Sequence, residues 1–362
     1  MPKGDLFSNC SNHYPIEQYF LNCTNTTRPC ELISDLAIVA ELLVIFDYYL
    51  STVLFSLAGI FNAYNLSISL PLFLRMDEEH QKRYVFVLSR CISSISAAAT
   101  LLVLRCVLYV YFPPGTSSYY LYVLVVIADD ISFYSLQGAY IEMALLVYVA
   151  VIHPMYFSAR LTLRKIYLLA IANWVLATVI SVPTGLFQTA TYVSGPIKCD
   201  SQVCGPLVGL INYIIVSIAF FTTILILSFV LIALSCHIHR AKRVDSYTSS
   251  QTLHNARSRL AWTLFAITFI SLAEGIPSSF LLGLKADNVL STCTNFYQAD
   301  KLINVTIFTS LDSIVWAIVL LIDPVANIIL DKEVSSEFVK QVNQAKVYFA
   351  KFLEFLVSDR KK

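Results

Sequence analysis

Charged residues are scarce in this chain of 362 residues: Asp, Glu, Lys and Arg make up 14% of it, against about a quarter of an average soluble domain. Hydrophobic residues make up 57%. A water-soluble enzyme of this length needs a far more polar exterior, so the composition excludes a large soluble domain. The formal net charge is +1 and no long basic block is present, so the sequence predicts no nucleic-acid partner.

Glycine is also rare, and so are the patterns that mark enzymes. The chain has 10 glycines, and none of them forms a glycine-rich phosphate loop. It has no His-Glu-x-x-His pattern, no nucleophile placed beside a base, and no paired cysteine spacing of the zinc type. The sequence therefore predicts no catalytic residue, no cofactor and no metal site.

Long apolar runs are what the chain does contain. A membrane-spanning helix needs about 20 apolar residues, and seven stretches meet this requirement. The predicted spans are 46–74, 84–112, 120–152, 166–192, 206–237, 260–284 and 302–330. We predict an all-α integral membrane protein with a seven-helix transmembrane bundle over 46–330, a polar segment over 1–45 and a tail over 331–362.

Basic residues outside the spans are distributed unevenly. Eighteen Lys and Arg lie in the segments that follow the odd-numbered spans, and five lie in the N-terminal segment and after the even-numbered spans. Because cytoplasmic segments carry the excess of Lys and Arg, the N terminus is expected outside and the C terminus in the cytoplasm. The sequons for N-glycosylation at Asn9, Asn22 and Asn25 all lie in the segment expected outside.

Short motifs follow one another along the spans in a recognisable order. The third span ends in the stretch 148–156, the fourth holds Trp174 and Pro183, the seventh ends in 323–327, and 331–334 follows it. In this order the chain resembles the rhodopsin-like G-protein-coupled receptors, and in particular the nematode serpentine chemoreceptors. The resemblance implies a small-molecule or peptide ligand, a heterotrimeric G protein and the plasma membrane, with the sensory cilium as one candidate location.

Two departures from the family pattern concern helix three and the sodium pocket. Where the family has an acid and an arginine before the tyrosine, this chain has Leu146 and Val147 before Tyr148. The ordinary activation switch is therefore not expected. The middle of the second span has no acid, and serines occur there instead: Ser93, Ser94 and Ser96. The family's sodium pocket is therefore not expected either.

Cysteines on the side expected outside form an even set. Its six members are Cys10, Cys23, Cys30, Cys199, Cys204 and Cys293. In an oxidising compartment they predict up to three disulfides with 15 possible pairings, and free cysteines are the alternative. Tyr122 occupies the region where the family usually has a cysteine, so Cys199 and Cys204 are expected to join each other or one of the other four.

Charges inside the spans mark candidate sites because each costs a few kcal/mol in a bilayer. Arg105 and Asp129 lie at similar depths from the outer ends of their spans. Arg90 and Glu142 lie at similar depths from the inner ends. Counting along the helices therefore predicts two ion pairs.

Asp129 admits three interpretations. Counted back from Tyr148, it resembles the position at which amine receptors bind a protonated ligand nitrogen; it also fits a structural pair with Arg105 or a polar anchor for another ligand. Asp130 is expected to point elsewhere, because neighbours on a helix are about 100° apart. We predict a ligand site lined by five residues: Asp129, Asp130, Arg105, Phe133 and Trp316.

The side expected in the cytoplasm is basic. The predicted G-protein face comprises Tyr148, His153, Arg160, Arg240 and Arg243. In the tail, apolar residues from Val334 to Leu356 recur at spacings of three and four and predict an amphipathic helix on the inner leaflet.

A secondary transporter is the alternative, since intramembrane charges also mark ion pathways. Transporters usually contain internal repeats, and this chain shows none by eye. A seven-helix channel with its N terminus inside disagrees with the distribution of Lys and Arg. The receptor is therefore the function that the sequence favours.

Overall fold

The computed structural model describes residues 38–39, 41–104, 119–192, 196–197, 199, 204–244, 265, 269, 275–284, 286 and 299–359. Eight residues named above lie outside this part of the chain: Asn9, Asn22, Asn25, Arg105, Cys10, Cys23, Cys30 and Cys293. The expectations that depend on them stay predictions.

Regular structure in the described ranges is helical. A π-helical segment, Leu43–Leu50, leads into the first α-helix. The α-helices are α1 (Ser51–Arg75), α2 (Glu78–Leu102), α3 (Tyr119–Ile152), α4 (Pro154–Ala159), α5 (Leu163–Tyr192), α6 (Cys204–Val244), α7 (Gly275–Leu284), α8 (Ala299–Leu330) and α9 (Lys332–Asp359).

Six of these helices are long and apolar enough to cross a bilayer: α1 to α3, α5, α6 and α8. They correspond to the first five predicted spans and the seventh. The shorter apolar helix α7 lies at the end of the predicted sixth span, most of which lies outside the described residues. Helix α2 begins at Glu78 rather than at residue 84, because acidic residues in a first turn favour the start of a helix.

Apolar side chains cover the outside of the bundle, and polar ones are buried inside it. Leu225 on α6 and Val179 on α5 are 70% and 65% exposed, whereas Asn62 on α1 and Ser93 on α2 are fully buried. Water would favour burial of the large apolar side chains. Lipid does not, so this distribution indicates an exterior that faces hydrocarbon.

Helix α3 occupies the middle of the bundle and packs against α2, α5 and α6, while α1 packs against α2 and α8. The main apolar core joins Phe55 of α1, Leu136 and Tyr140 of α3, Leu227 of α6 and Leu320 of α8. Side chains on α3 therefore face almost every other long helix.

A glycine permits a close contact between α3 and α5. A Cβ at Gly138 of α3 would collide with the carboxamide of Asn173 on α5. That carboxamide donates a hydrogen bond to the Ser135 carbonyl at 2.8 Å. Small residues allow helix backbones to approach in this way.

One end of the bundle is closed by contacts between three turns, and we call it the His153 end. Lys82 on α2 donates to the carbonyl of Phe157 on α4 at 3.3 Å, and Arg83 forms an ion pair with Asp331 between α8 and α9. A disulfide joins Cys199 to Cys204, the first residue of α6. We call the opposite end, where α5 ends and α6 begins, the disulfide end.

Helix α9 occupies the tail, where the sequence predicts an amphipathic helix. An oxygen of Asp331 accepts the backbone N–H of Glu333 at 3.0 Å and so caps its first turn. Val334 is fully buried against Ile68 and Tyr84, and the ring of Phe338 lies edge-on to Tyr64 of α1. Its first half therefore packs on α1 and α2, and a position on the lipid surface remains a prediction.

Candidate functional site

A ladder of hydroxyl groups joins α2 to α3 across the interior. The hydroxyls of Ser93 and Ser135 lie 2.7 Å apart, and Ser132 donates to Ser96 at 2.8 Å. The two helices are antiparallel, so residue numbers rise along one side of the ladder as they fall along the other. Of the three serines that the sequence places in the middle of the second span, Ser93 and Ser96 therefore form this helix–helix contact, and Ser94 does not.

Asp129 and Asp130 continue this polar layer toward the disulfide end, in different directions. Thr100 of α2 donates to Asp129 at 3.0 Å, and Thr184 of α5 donates to Asp130 at 3.0 Å. The expectation that the two neighbouring acids face different ways is confirmed. Sequence reasoning missed both threonines, because a threonine in an apolar span carries no distinguishing signal.

Phe133 and Trp316, both predicted to line the ligand site, meet in an aromatic cluster. Their ring centroids are 5.4 Å apart, and the ring of Phe220 on α6 lies 5.2 Å from Phe133. Phe133 also contacts Tyr134 at 5.1 Å. The cluster joins α3, α6 and α8 one helical turn beyond Asp129 and Asp130. Phe220 was absent from the prediction.

A third intramembrane acid lies beside this cluster. Asp312 is one turn before Trp316 on α8 and accepts a hydrogen bond from Ser278 of α7 at 2.8 Å. The acids and aromatics together could hold a ligand with a polar or cationic group and an apolar body. Arg105, the fifth predicted residue of the site, lies outside the described residues. Its ion pair with Asp129 therefore stays a prediction.

The predicted pair between Arg90 and Glu142 is wrong. Arg90 instead forms an ion pair with Asp323 of α8 at 3.4 Å, and both side chains are buried. The guanidinium also lies 5.3 Å from the ring centre of Tyr140. Counting residues gives the depth of a side chain along a helix and leaves its direction around the axis undetermined, so the partner on α8 was missed.

Asparagines extend this second polar centre to α1. Asn327 of α8 donates to Asn65 at 3.1 Å, and Asn65 donates to the sulfur of Cys91 on α2 at 3.3 Å. Asn62, one turn earlier on α1, donates to the carbonyl of Leu320 at 2.8 Å. Two asparagines spaced by three in an apolar span were the available signal, since such residues usually bond across helices.

The predicted G-protein residues surround the His153 end. The rings of Tyr148 and His153 lie 6.2 Å apart at the end of α3, and Arg160 is exposed after α4. Helix α6 continues through Arg240 and Arg243, beyond the apolar span that ends at Cys236. These residues lie at helix ends that a soluble partner could reach.

Of the cysteine pairings left open, the structure contains the one between Cys199 and Cys204. Cys91 and Cys236 are free, the first buried and the second exposed. Within the described ranges no group of three or more His, Cys, Asp or Glu side chains could hold a metal ion.

Comparison with known proteins gives this arrangement a family. The model of the "7 transmembrane receptor (rhodopsin family)" matches residues 65–315. The chain therefore belongs to the rhodopsin family of seven-transmembrane receptors and is a multi-pass membrane protein. It is a family of receptors rather than of enzymes.

Relatives from Caenorhabditis elegans match almost the whole chain. "Putative G-protein coupled receptor B0244.5" is 38% identical over 97% of this chain and 96% of its own length. "Putative G-protein coupled receptor B0244.4" is 39% identical over 82% and 95%. "Putative G-protein coupled receptor-like protein B0244.6" is 36% identical over 93% and 90%. The sequence-based assignment to the G-protein-coupled receptors is thereby confirmed, and the protein signals through a G protein.

Proposed function

We propose that this receptor is chemosensory: it binds a small external ligand in the half of the bundle nearer the disulfide end. Binding shifts a conformational equilibrium that a heterotrimeric G protein reads at the His153 end. In this proposal residues 1–45 are extracellular, 46–330 form the transmembrane bundle, and 331–362 form a cytoplasmic tail that lies along the membrane.

The observation that carries the proposal is the aromatic cluster of Phe133, Trp316 and Phe220. Three helices contribute one ring each, and acids lie one helical turn away on α3 and α8. Small-molecule sites usually combine such apolar walls with a few polar anchors. This combination of rings and acids supports a small-ligand site at the cluster.

The acids of this site favour a ligand with a cationic or hydrogen-donating group. Asp130 and Asp312 accept hydrogen bonds from hydroxyls, and in the described part of the chain neither has a basic side chain within ion-pair distance. A ligand ammonium would form a charge-assisted hydrogen bond there, which is about twice as strong as a neutral one.

The G-protein face is proposed from position and charge. Tyr148 lies near the end of α3, His153 lies between α3 and α4, Arg160 follows α4, and the end of α6 contains Arg240 and Arg243. A partner at this surface would contact the ends of α3, α4 and α6, and these helices pack against different neighbours inside the bundle. A shift of α6 relative to α3 would therefore change the surface that the G protein reads.

The ligand site is tested in a reporter cell, once a panel of small amines, alcohols and acids has yielded an agonist. We expect Phe133→Ala and Trp316→Ala to raise the half-maximal concentration at least about 30-fold, which is the size of an aromatic hot spot. Phe187→Ala is the matched control, since that half-exposed ring on α5 is expected to face lipid. Unchanged responses in both cluster variants, at equal surface expression, would place the ligand elsewhere.

Orientation and mode of action need separate measurements. An antibody tag at residue 1 should be accessible on intact cells and one after residue 362 only after permeabilisation. Glycosidase should shift the mobility of the parent chain, and replacing Asn9, Asn22 and Asn25 with Gln should abolish the shift. Uptake of the agonist into sealed vesicles by the purified protein would contradict a receptor and favour a transporter.

A further inference from the structure

A cavity of about 290 Å³ lies between α6 and α7, near the middle of the apolar span of α6. Most of its wall is hydrocarbon, from Phe220, Phe221 and Ile224 of α6 and Ile276 and Phe280 of α7. Its volume falls at the lower end of the range for small-molecule sites, about 300 Å³. A compact ligand would therefore fill it.

The mouth of the cavity faces the bilayer. Phe221, Ile276 and Phe280 are each more than half exposed, and they belong to apolar helices of a membrane protein. Exposed rings at this depth contact lipid chains. A molecule dissolved in the bilayer would reach the cavity from the side without crossing the external surface.

One polar group in the wall has no hydrogen-bond partner among the residues that the structure describes. Ser217 is 5% exposed, and its buried hydroxyl makes no hydrogen bond to any described residue. The other two serines of the wall are engaged, since Ser278 donates to Asp312 and Ser279 donates to the carbonyl of Gly275. A buried hydroxyl without a partner is costly in a medium that lacks water. Ser217 is therefore a single available anchor inside an apolar wall.

We propose that this cavity is a second binding site, which takes a compact lipophilic molecule with one hydrogen-bonding oxygen, such as a medium-chain alcohol, from the bilayer. The apolar body packs against the rings of α6 and the side chains of α7, and the oxygen pairs with Ser217. This site is entered from the bilayer rather than from the external surface, and it shares the ring of Phe220 with the external ligand site.

The wall of the cavity connects it to the aromatic cluster. Phe220 lines the cavity, and its ring lies 5.2 Å from Phe133. Ser278 lines the cavity too and holds Asp312 of α8. A molecule in the cavity therefore touches the cluster and the contact between α7 and α8, so it can change how α6 packs on α7.

The test uses photolabelling of the purified full chain in nanodiscs, which requires neither an agonist nor a G protein. The probe is octanol that carries a diazirine group, competed with unlabelled octanol, and labelled residues are located by mass spectrometry. We expect saturable labelling at Phe221, Ile224, Ile276 and Phe280. Ser217→Ala should weaken the saturable component about fivefold, as expected for one lost hydrogen bond. Ser67→Ala, which changes an exposed serine of α1, is its matched control.

A filling variant tests the cavity by volume. A Cβ at Gly275 would lie 3.3 Å from Ile224, whereas a Cβ at Gly283, on the same helix, would meet nothing within 4 Å. Gly275→Val should abolish the saturable labelling, and Gly283→Val should preserve it. Thermal unfolding of each variant shows that the protein is folded. Labelling that does not saturate and also marks exposed side chains such as Leu225 and Phe229 would overturn the proposal, as would saturable labelling unchanged in both Ser217→Ala and Gly275→Val.

Discussion

The two polar layers of the bundle differ in how their charges are balanced. Toward the His153 end, basic side chains meet acids directly, in the pairs Arg90–Asp323 and Arg83–Asp331. Toward the disulfide end, Asp130 and Asp312 accept hydrogen bonds from a threonine and a serine. In the first layer each of these two basic side chains has an acidic partner within the protein. The second has acceptors that a bound ligand could complete, so it is the better candidate for a ligand site.

The pair Arg90–Asp323 gives the largest expected effect. Arg90→Ala leaves Asp323 buried without its cation, and loss of one partner of a buried ion pair costs about 3–5 kcal/mol. We expect surface expression to fall sharply and the melting temperature of the purified protein to drop. The double variant Arg90→Ala, Asp323→Ala removes both charges and should recover much of the loss. If the double variant is no more stable than Arg90→Ala, the two side chains do not act as a pair.

Asp331 is expected to give the next effect, because it has two roles at the His153 end. One carboxylate oxygen meets Arg83 and accepts a hydrogen bond from Tyr84 at 3.1 Å, and the other caps α9. Asp331→Ala should lower the free energy of unfolding by about 1–2 kcal/mol, mainly through the lost cap, and speed hydrogen exchange in the first turn of α9. Glu337→Ala removes an exposed pair with Lys340 and serves as the control, with no measurable change expected. Equal exchange rates in α9 for the parent and Asp331→Ala would show that the cap does not hold that turn.

Replacing Asp312 should change stability in the opposite direction from Arg90→Ala and Asp331→Ala. Asp312→Asn keeps an oxygen that can accept from Ser278 and removes a partly buried charge that no described basic side chain balances. The variant should be as stable as the parent or more stable by about 1 kcal/mol, since a carboxylate inside a membrane span is costly. A cationic agonist should lose potency on it and a neutral agonist should not. If Asp312→Asn instead strongly destabilises the protein, the acids toward the disulfide end stabilise the fold as those toward the His153 end do.

The long helices can be predicted from the sequence, whereas most partners of their polar residues cannot. Length and hydropathy are enough to find the spans, and helical geometry is enough to place Asp129 and Asp130 on different sides. The partner of Arg90 was missed because it depends on the direction of a side chain around α2 and on where α8 lies. Phe220 and Phe133 meet only because α6 and α3 cross there. The amino-acid sequence of a single protein does not show where two helices cross.

The hydroxyl ladder should give the smallest effect and sharpen the comparison most. Ser93 and Ser135 form a neutral contact in the bundle interior, where Arg90 and Asp323 form a charged one. Removing one side chain from each contact therefore compares the two kinds of contact directly. Hydrogen bonds between helices in membranes average about 0.6 kcal/mol. Ser93→Ala should therefore lower the melting temperature only slightly, and adding Ser135→Ala should cost little more because their contact is already lost. If Ser93→Ala instead costs as much as Arg90→Ala, neutral contacts stabilise the bundle as strongly as charged ones, and the different roles inferred for the two layers would fail.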